Sequence, residues 1–318
     1  MPAPLTRRDF LERAALTSAV LACARPAAAA DPMFVSLNGA VTRGVSGADK
    51  ARLAAKVGFG GVDWDFGPAK TAGLDATKAL FTELKIKPTI ANLPMARPLP
   101  FGGDQTAFDQ ALTQLSEDAA FTAAIGCQRM MVVLPATSPT TKEEFRKVVR
   151  DRLAAISQVL QKSNVRLGIE FLGVQQFRMA RAGGPPPTPF IWNLPEAASL
   201  AKDSGANIGV ILDVWHWHHS GSTLADIAAA GKERIVHVHV SDARAQPPEE
   251  VRDNQRVMPG EGVIDLVGFF QALKKIGYDG GVSPEPLGRV PEGMSAEEGA
   301  KLALDTTLAV MKKAGVVS

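Results

Sequence analysis

The sequence predicts an α/β fold, a (β/α)8 or TIM barrel in one domain, and three observations predict it. After residue 30, short runs rich in β-branched and apolar residues alternate with amphipathic segments as far as the C-terminus, the pattern of a parallel sheet covered by helices. The runs number eight, the barrel count. A chain of 318 residues with 46% hydrophobic content can bury one large core, and α/β barrels reach this size undivided. An open doubly wound sheet is the alternative. No Gly-x-Gly-x-x-Gly follows the first run, which takes support from its dinucleotide-binding form.

Taken in order, residues 1–30 read as an export signal: Thr6-Arg7-Arg8-Asp9-Phe10-Leu11, an apolar stretch over 14–24, then Ala28-Ala29-Ala30 before Asp31. The segment resembles a twin-arginine signal, although Glu12 stands where such signals often carry a basic residue. Val20-Leu21-Ala22-Cys23 resembles a lipoprotein cleavage site more loosely, because Leu21 fits that pattern poorly. The expectation is a periplasmic or otherwise exported protein, partnered with the twin-arginine export machinery, whose mature part spans 31–318. Without the first thirty residues, the 35 basic and 33 acidic side chains fall to 31 each. A neutral mature chain gives no electrostatic reason to bind nucleic acid or anionic membranes. No other apolar run is long enough to span a bilayer, and the oligomeric state, including a homo-oligomer, stays open. Cys127 would be the only cysteine left, and beside Met130-Met131-Val132-Val133 it is expected in the core.

Strands are predicted over 34–37, 61–65, 87–92, 130–134, 166–170, 208–213, 235–239 and 281–285. Between them, apolar residues recur at helical spacing, as in Phe108, Leu112, Leu115 and Ala119, or Phe145, Val148, Val149, Leu153 and Ile156. Thr140-Thr141 before Lys142-Glu143-Glu144, and Ser295 before Glu297 and Glu298, are helix starts; Gly58, Gly205, Gly277 and Gly315 mark helix ends. The connection over 172–194 is long, and its Gly/Pro stretch over 183–189 is followed by Phe190 and Trp192; it reads either as a solvent-exposed linker or, because it follows the strand ending in Glu170, as a lid on the catalytic face. The loop over 241–263, with Arg256-Val257-Met258-Pro259-Gly260-Glu261-Gly262, should rim the same face.

In a parallel barrel, residues at the ends of different strands converge on that face. Glu170, Asp213, His239 and Glu285 each end one of four successive predicted strands. Four ionisable groups ending apolar strands are costly to bury without partners, and one divalent cation would resolve their repulsion. Three carboxylates and an imidazole form an oxygen-rich set that suits Mn²⁺ best, with Mg²⁺, Co²⁺ or Zn²⁺ as alternatives. His216, three residues beyond Asp213, is placed to hydrogen-bond a substrate hydroxyl, and Trp215 or Trp217 either packs on a sugar ring or anchors the core. His237, two residues before His239 on the same face, either supports the ligands from one layer deeper or is a core residue.

The order Glu170, Asp213-x-x-His216, His237-x-His239, Pro259-Gly260-Glu261-Gly262 and Glu285 resembles the xylose isomerase-like barrels, the sugar phosphate isomerase/epimerase family. The resemblance implies Glu170, Asp213, His239 and Glu285 as metal ligands, His216 as a substrate-binding histidine, a small carbohydrate substrate, and a supporting place for Glu261. It also implies that Glu170 and Glu285 form the acid/base pair of an isomerase or epimerase acting on a keto-sugar or related polyol through an enediolate. Two positions depart from the ketose 3-epimerases: Gln176 stands where they carry a second substrate-contacting glutamate, and Ala245 where they carry an arginine, with Arg244 one residue earlier. These departures weigh against a ketohexose substrate and leave the metal set intact. Gln176 and Arg244 are the expected substrate contacts at those places. Asn92 and Leu134, at the ends of early strands, do not supply the histidines of the trinuclear endonuclease IV relatives. The enzymatic alternative is a lyase or dehydratase on a 3-keto-sugar, 3-keto-glycoside or inosose; the non-enzymatic one is a sugar-binding barrel, which the intact Glu170 and Glu285 argue against.

Overall fold

A computed structural model describes residues 33–180, 184–288, 290 and 293–317. The signal expected over 1–30 lies outside the described residues. Eight parallel strands close into a barrel: β1 Phe34–Leu37, β2 Gly61–Asp63, β3 Lys87–Asn92, β4 Arg129–Val133, β6 Arg166–Glu170, β8 Ile208–Asp213, β9 Ile235–Val240 and β10 Gly281–Pro284. They neighbour one another in the order β1-β10-β9-β8-β6-β4-β3-β2. Observed and predicted strands agree to within two residues at each end.

The helices are α1 Gly47–Val57, α2 Phe66–Ala72, α3 Leu74–Leu84, α4 Gln105–Ala124, α5 Lys142–Gln161, α6 Leu194–Ser204, α7 Val214–His219, α8 Leu224–Arg234, α9 Leu266–Lys275 and α10 Ala296–Lys313. The predicted starts of α5 and α10 are full capping boxes: Thr141 with Glu144, and Ser295 with Glu298, each satisfying backbone N–H groups that a helix start leaves unpaired. In α5, Phe145, Val149, Leu153 and Ile156 are buried, whereas Val148 is 43% exposed. It sits one step off the stripe, where apolar spacing alone does not exclude it. Cys127 is buried, as expected. No described helix is long and apolar enough to cross a membrane.

Strand alternation decides what the barrel encloses. Gly168 on β6 faces inward, and a Cβ there would collide with Ile211. Small inward residues therefore leave room for Ile90, Ile211 and Val236, which form a buried apolar layer with Met131 packed on it. Two residues on from Gly168 along the same strand, Glu170 must face inward at the C-terminal end. The barrel floor is thus apolar packing, and the ionisable groups stand above it.

Two short strands outside the barrel, β5 Thr137–Ser138 and β7 Thr188–Pro189, pair antiparallel. They tie the long loop expected as a lid to the loop after β4, on the C-terminal face. Arg178 stiffens its root: the guanidinium donates to the carbonyls of Leu172, Gly173 and Val174 at 3.0–3.2 Å and covers the Trp192 ring at 4.1 Å. Gly173 is required by close approach, since a Cβ there would run into the backbone carbonyl of His216.

Candidate metal centre

The C-terminal strand ends bring Glu170, Asp213, His239 and Glu285 together, with one donor atom of each within 4.8 Å of the others. Asp213 serves twice. Its Oδ1 accepts the Trp215 N–H at 2.9 Å and so caps α7, while Oδ2 remains directed at the cluster. The His239 Nδ1 lies 3.0 Å from Glu170 Oε1 and 3.5 Å from Glu285 Oε2. Glu285 sits one residue beyond β10, where its N–H still donates to the Val240 carbonyl at 2.8 Å and continues the ladder.

Arg256, which motif counting did not assign to the site, completes the cluster. Its Nη1 donates to Asp213 Oδ2 at 2.8 Å and Glu285 Oε2 at 3.0 Å, and its Nη2 to Asp253 Oδ1 at 2.8 Å. The Trp215 ring lies 5.5 Å from its guanidinium carbon. Nη2 also stands 3.4 Å from His216 Nε2. Because arginine only donates, this contact makes Nε2 of His216 the acceptor and leaves the proton on Nδ1, which is buried without a partner. The Phe177 ring meets His216 edge-on, with centroids 6.3 Å apart.

The electrostatics show a site short of positive charge. Burial opposes the charge of His239, but the carboxylates of Glu285 and Glu170 outweigh it and hold the imidazole up at about 10. Burial raises Glu285 to about 7 against the pull of His239 and Arg256. For Asp213 burial works upward, yet Arg256, then His216 and His239, keep it below the usual carboxylate range. Burial pushes His216 down, with Arg256 acting the same way and Asp213 against it. A protonated His239 wedged among carboxylates stands where a cation would, so the donor set fits a divalent ion. Loading one must displace the His239 proton and part of the proton on Glu285. Mn²⁺ affinity should therefore rise with pH, more steeply below about 7 than above it, and binding at pH 7 should release between about one and two protons. Calorimetry in buffers of different ionisation enthalpy reads this directly, and equal affinities at pH 6 and 8 would contradict it.

The other sequence-assigned residues separate. Gln176 is half-buried in the 3₁₀ turn Gln175–Arg178, next to Phe177. Trp217 is a core anchor, not a ring-stacking surface: its indole N–H donates to the Thr223 carbonyl at 3.2 Å and its ring packs on Phe269. Arg244 is exposed. The loop after β9 is longer than a six-residue count allows, so its far end supplies the guanidinium that Arg244 was expected to bring. Glu261 is exposed too, at the tip of the Pro-Gly turn, and Asp242 holds that turn instead. One Asp242 oxygen accepts from the N–H groups of Gly260 and Gly262, the other from those of Ala243 and Ile264, all at 2.8–3.1 Å. Asp242→Ala should cost about 3 kcal/mol by orphaning buried donors and freeing the loop that carries Arg256; urea unfolding measures it, and a change below about 1 kcal/mol would rule out the clasp. His237 lies one layer deeper, fully buried, with Nε2 2.7 Å from Ser283 Oγ.

Residues 51–309 match the xylose isomerase-like TIM barrel family. The chain belongs to that family. It is 29% identical over 242 residues to an inosose isomerase of Halalkalibacterium halodurans, covering 76% of this chain and 80% of the relative. It is 26% identical over 147 residues to a 3-dehydro-D-guloside 4-epimerase of Escherichia coli, covering 46% and 48%. The crystal structure of an IOLI protein with a binding zinc atom superposes with a TM-score of 0.73 at 27% identity, over 88% of this chain and 99% of that one. Like these relatives, this family member is an enzyme.

Proposed function

We propose that the chain is a divalent-metal-dependent isomerase or epimerase of a keto-cyclitol or keto-sugar. The observation that carries this reading is the placement of two carboxylates, buried Glu170 and half-buried Glu285, in one cluster with buried Asp213 and His239. A divalent ion held by these four would polarise a substrate carbonyl and offset the charge of the enediolate. The oxygen-rich donors favour Mn²⁺, and a zinc atom in a related structure supports Zn²⁺ as a working substitute.

The protein's own groups move the protons. One glutamate removes the proton from the carbon beside the carbonyl and the other returns a proton, to the neighbouring carbon in isomerisation or to the opposite face in epimerisation. Burial brings Glu285 to about 7, where a carboxylate can both take and give a proton at neutral pH. The Nδ1–H of His216, which has no partner among the described residues, would donate to a substrate hydroxyl, and the Arg256 contact at Nε2 sets that tautomer. Incubation in deuterated water with inososes and 3-keto-glycosides tests the reading. Deuterium gained at the carbon beside the carbonyl, with the carbon skeleton and all oxygens retained, is the expected result. Loss of water or of the aglycone would replace isomerisation by elimination, and a fully inert panel would favour a binding protein.

We also propose that residues 1–30 direct export by the twin-arginine route. Accumulation of the uncut chain in the cytoplasm when that route is deleted is expected; unchanged export would refute it.

A further inference from the structure

Beneath the metal centre, a second polar cluster crosses four adjacent strands, and none of its serine, asparagine or aspartate members belongs to the ligand set. Asp63 ends β2. Its Oδ1 accepts from Ser36 Oγ on β1 at 2.7 Å and from Ser283 Oγ on β10 at 2.8 Å, while Oδ2 accepts from Asn38 Nδ2 at 3.1 Å. Since the single Ser283 proton goes to Asp63, the Ser283 oxygen must accept from His237 Nε2–H on β9. The proton order runs one way, from His237 through Ser283 to a carboxylate that three donors hold in place. A residue needed only for packing would not need three.

This clamped carboxylate faces the ligand histidine. One Asp63 oxygen, one His237 ring nitrogen and one His239 ring nitrogen all lie within 4.8 Å of one another. His239 Nδ1 is engaged on the opposite side, with Glu170 and Glu285. Its Nε2 is buried and has no hydrogen-bond partner. A gap of up to 4.8 Å between an oxygen and a ring nitrogen is spanned by one water. A histidine ligates a metal through one nitrogen while the N–H of the other needs an acceptor to set the tautomer and the ring plane.

We propose that Asp63 is a positioning residue that accepts the Nε2–H of His239 and thereby presents the Nδ1 lone pair to the metal. The inference rests on the metal-centre reading above. Asp63 reaches the reaction only through His239, from the strand across β1 and β10 from it.

The test uses the full-length folded protein and Zn²⁺, which is diamagnetic. Zn²⁺ affinity is measured by competition with a chromophoric chelator, and the His239 ring by long-range ¹H–¹⁵N correlation in the Zn²⁺-loaded protein. Asp63→Asn, nearly isosteric, should bind Zn²⁺ about 10 to 100 times more weakly and shift the His239 Nε2 resonance, and Asp63→Glu should recover part of both. Ser283→Ala keeps the carboxylate and should give a smaller loss in the same direction, which covers the case in which Asp63→Asn does not fold. Unchanged affinity and an unchanged Nε2 resonance in Asp63→Asn would overturn the proposal. Two Zn²⁺ per parent chain falling to one in Asp63→Asn would also overturn it, by making Asp63 a ligand of a second ion. A parent that binds no Zn²⁺ would overturn the metal-centre reading itself, and this inference with it.

Discussion

Glu170→Gln and Glu285→Gln are each expected to lower kcat by about 10² to 10⁴-fold, the usual contribution of a positioned acid or base. Glutamine keeps the shape and one coordinating oxygen but can neither take nor release a proton. The two variants should differ when metal-free. Glu170→Gln removes the carboxylate 3.0 Å from His239 Nδ1, so the imidazolium loses a principal partner and should titrate lower. Glu285→Gln removes a carboxyl that burial holds up at about 7; at pH 6 that group is largely protonated in the folded protein but ionised in the unfolded chain, so the metal-free variant should be more stable than the parent there. Rates under saturating Mn²⁺, with metal content measured on the same samples, separate lost chemistry from lost metal. A variant that is fully loaded and within fivefold of the parent would remove that glutamate from the acid/base pair.

Arg256→Met should lower the stability of the metal-free protein by about 3 to 5 kcal/mol, because removing one partner of a buried ion network leaves the others charged and unpaired. The guanidinium donates to Asp213, Glu285 and Asp253 at once. All three are near enough to keep it charged despite complete burial, above its ordinary value. Mn²⁺ should narrow the stability gap between variant and parent, since the ion brings back positive charge to Asp213 and Glu285. Activity should not return with it, because the His216 tautomer and the ligand geometry depend on the fork. Arg256→Lys should behave more like Met than like the parent, as one ammonium cannot span the same acceptors. Thermal unfolding with and without Mn²⁺ reads the effect, and a metal-free loss below about 1 kcal/mol would show that the network is not coupled.

How much of the site was legible depended on whether a residue's place followed from local pattern. Glu170, Asp213, His239 and Glu285 were readable because each closes an apolar run, and a run's end is a local property. His216 followed from Asp213 because α7 begins at once, capped by Asp213 itself. Trp217 was not decidable from composition: an indole after a strand can face either a ligand or the core, and only its contact with Phe269 settles which. Arg256 was visible as the opening of the Arg-Val-Met-Pro-Gly motif but had no assigned role. Counting six residues from His239 led to Arg244 and Ala245 instead, on the exposed part of a loop longer than that count assumes. A count from the turn that Asp242 pins would have pointed to it.

The sequence by itself determined the eight strands, the starts of α5 and α10, the family and the four residues that meet at the strand ends, since period-two and period-3.6 patterns, together with capping chemistry, are written along the chain. Tertiary structure alone decided that Arg256 lies among the carboxylates and that an Asp63 oxygen comes within 4.8 Å of a His239 ring nitrogen. Those neighbours are separated by a long loop or by most of the barrel, and contact follows from ring closure, which sets β1 and β10 between β2 and β9. No local spacing encodes that distance.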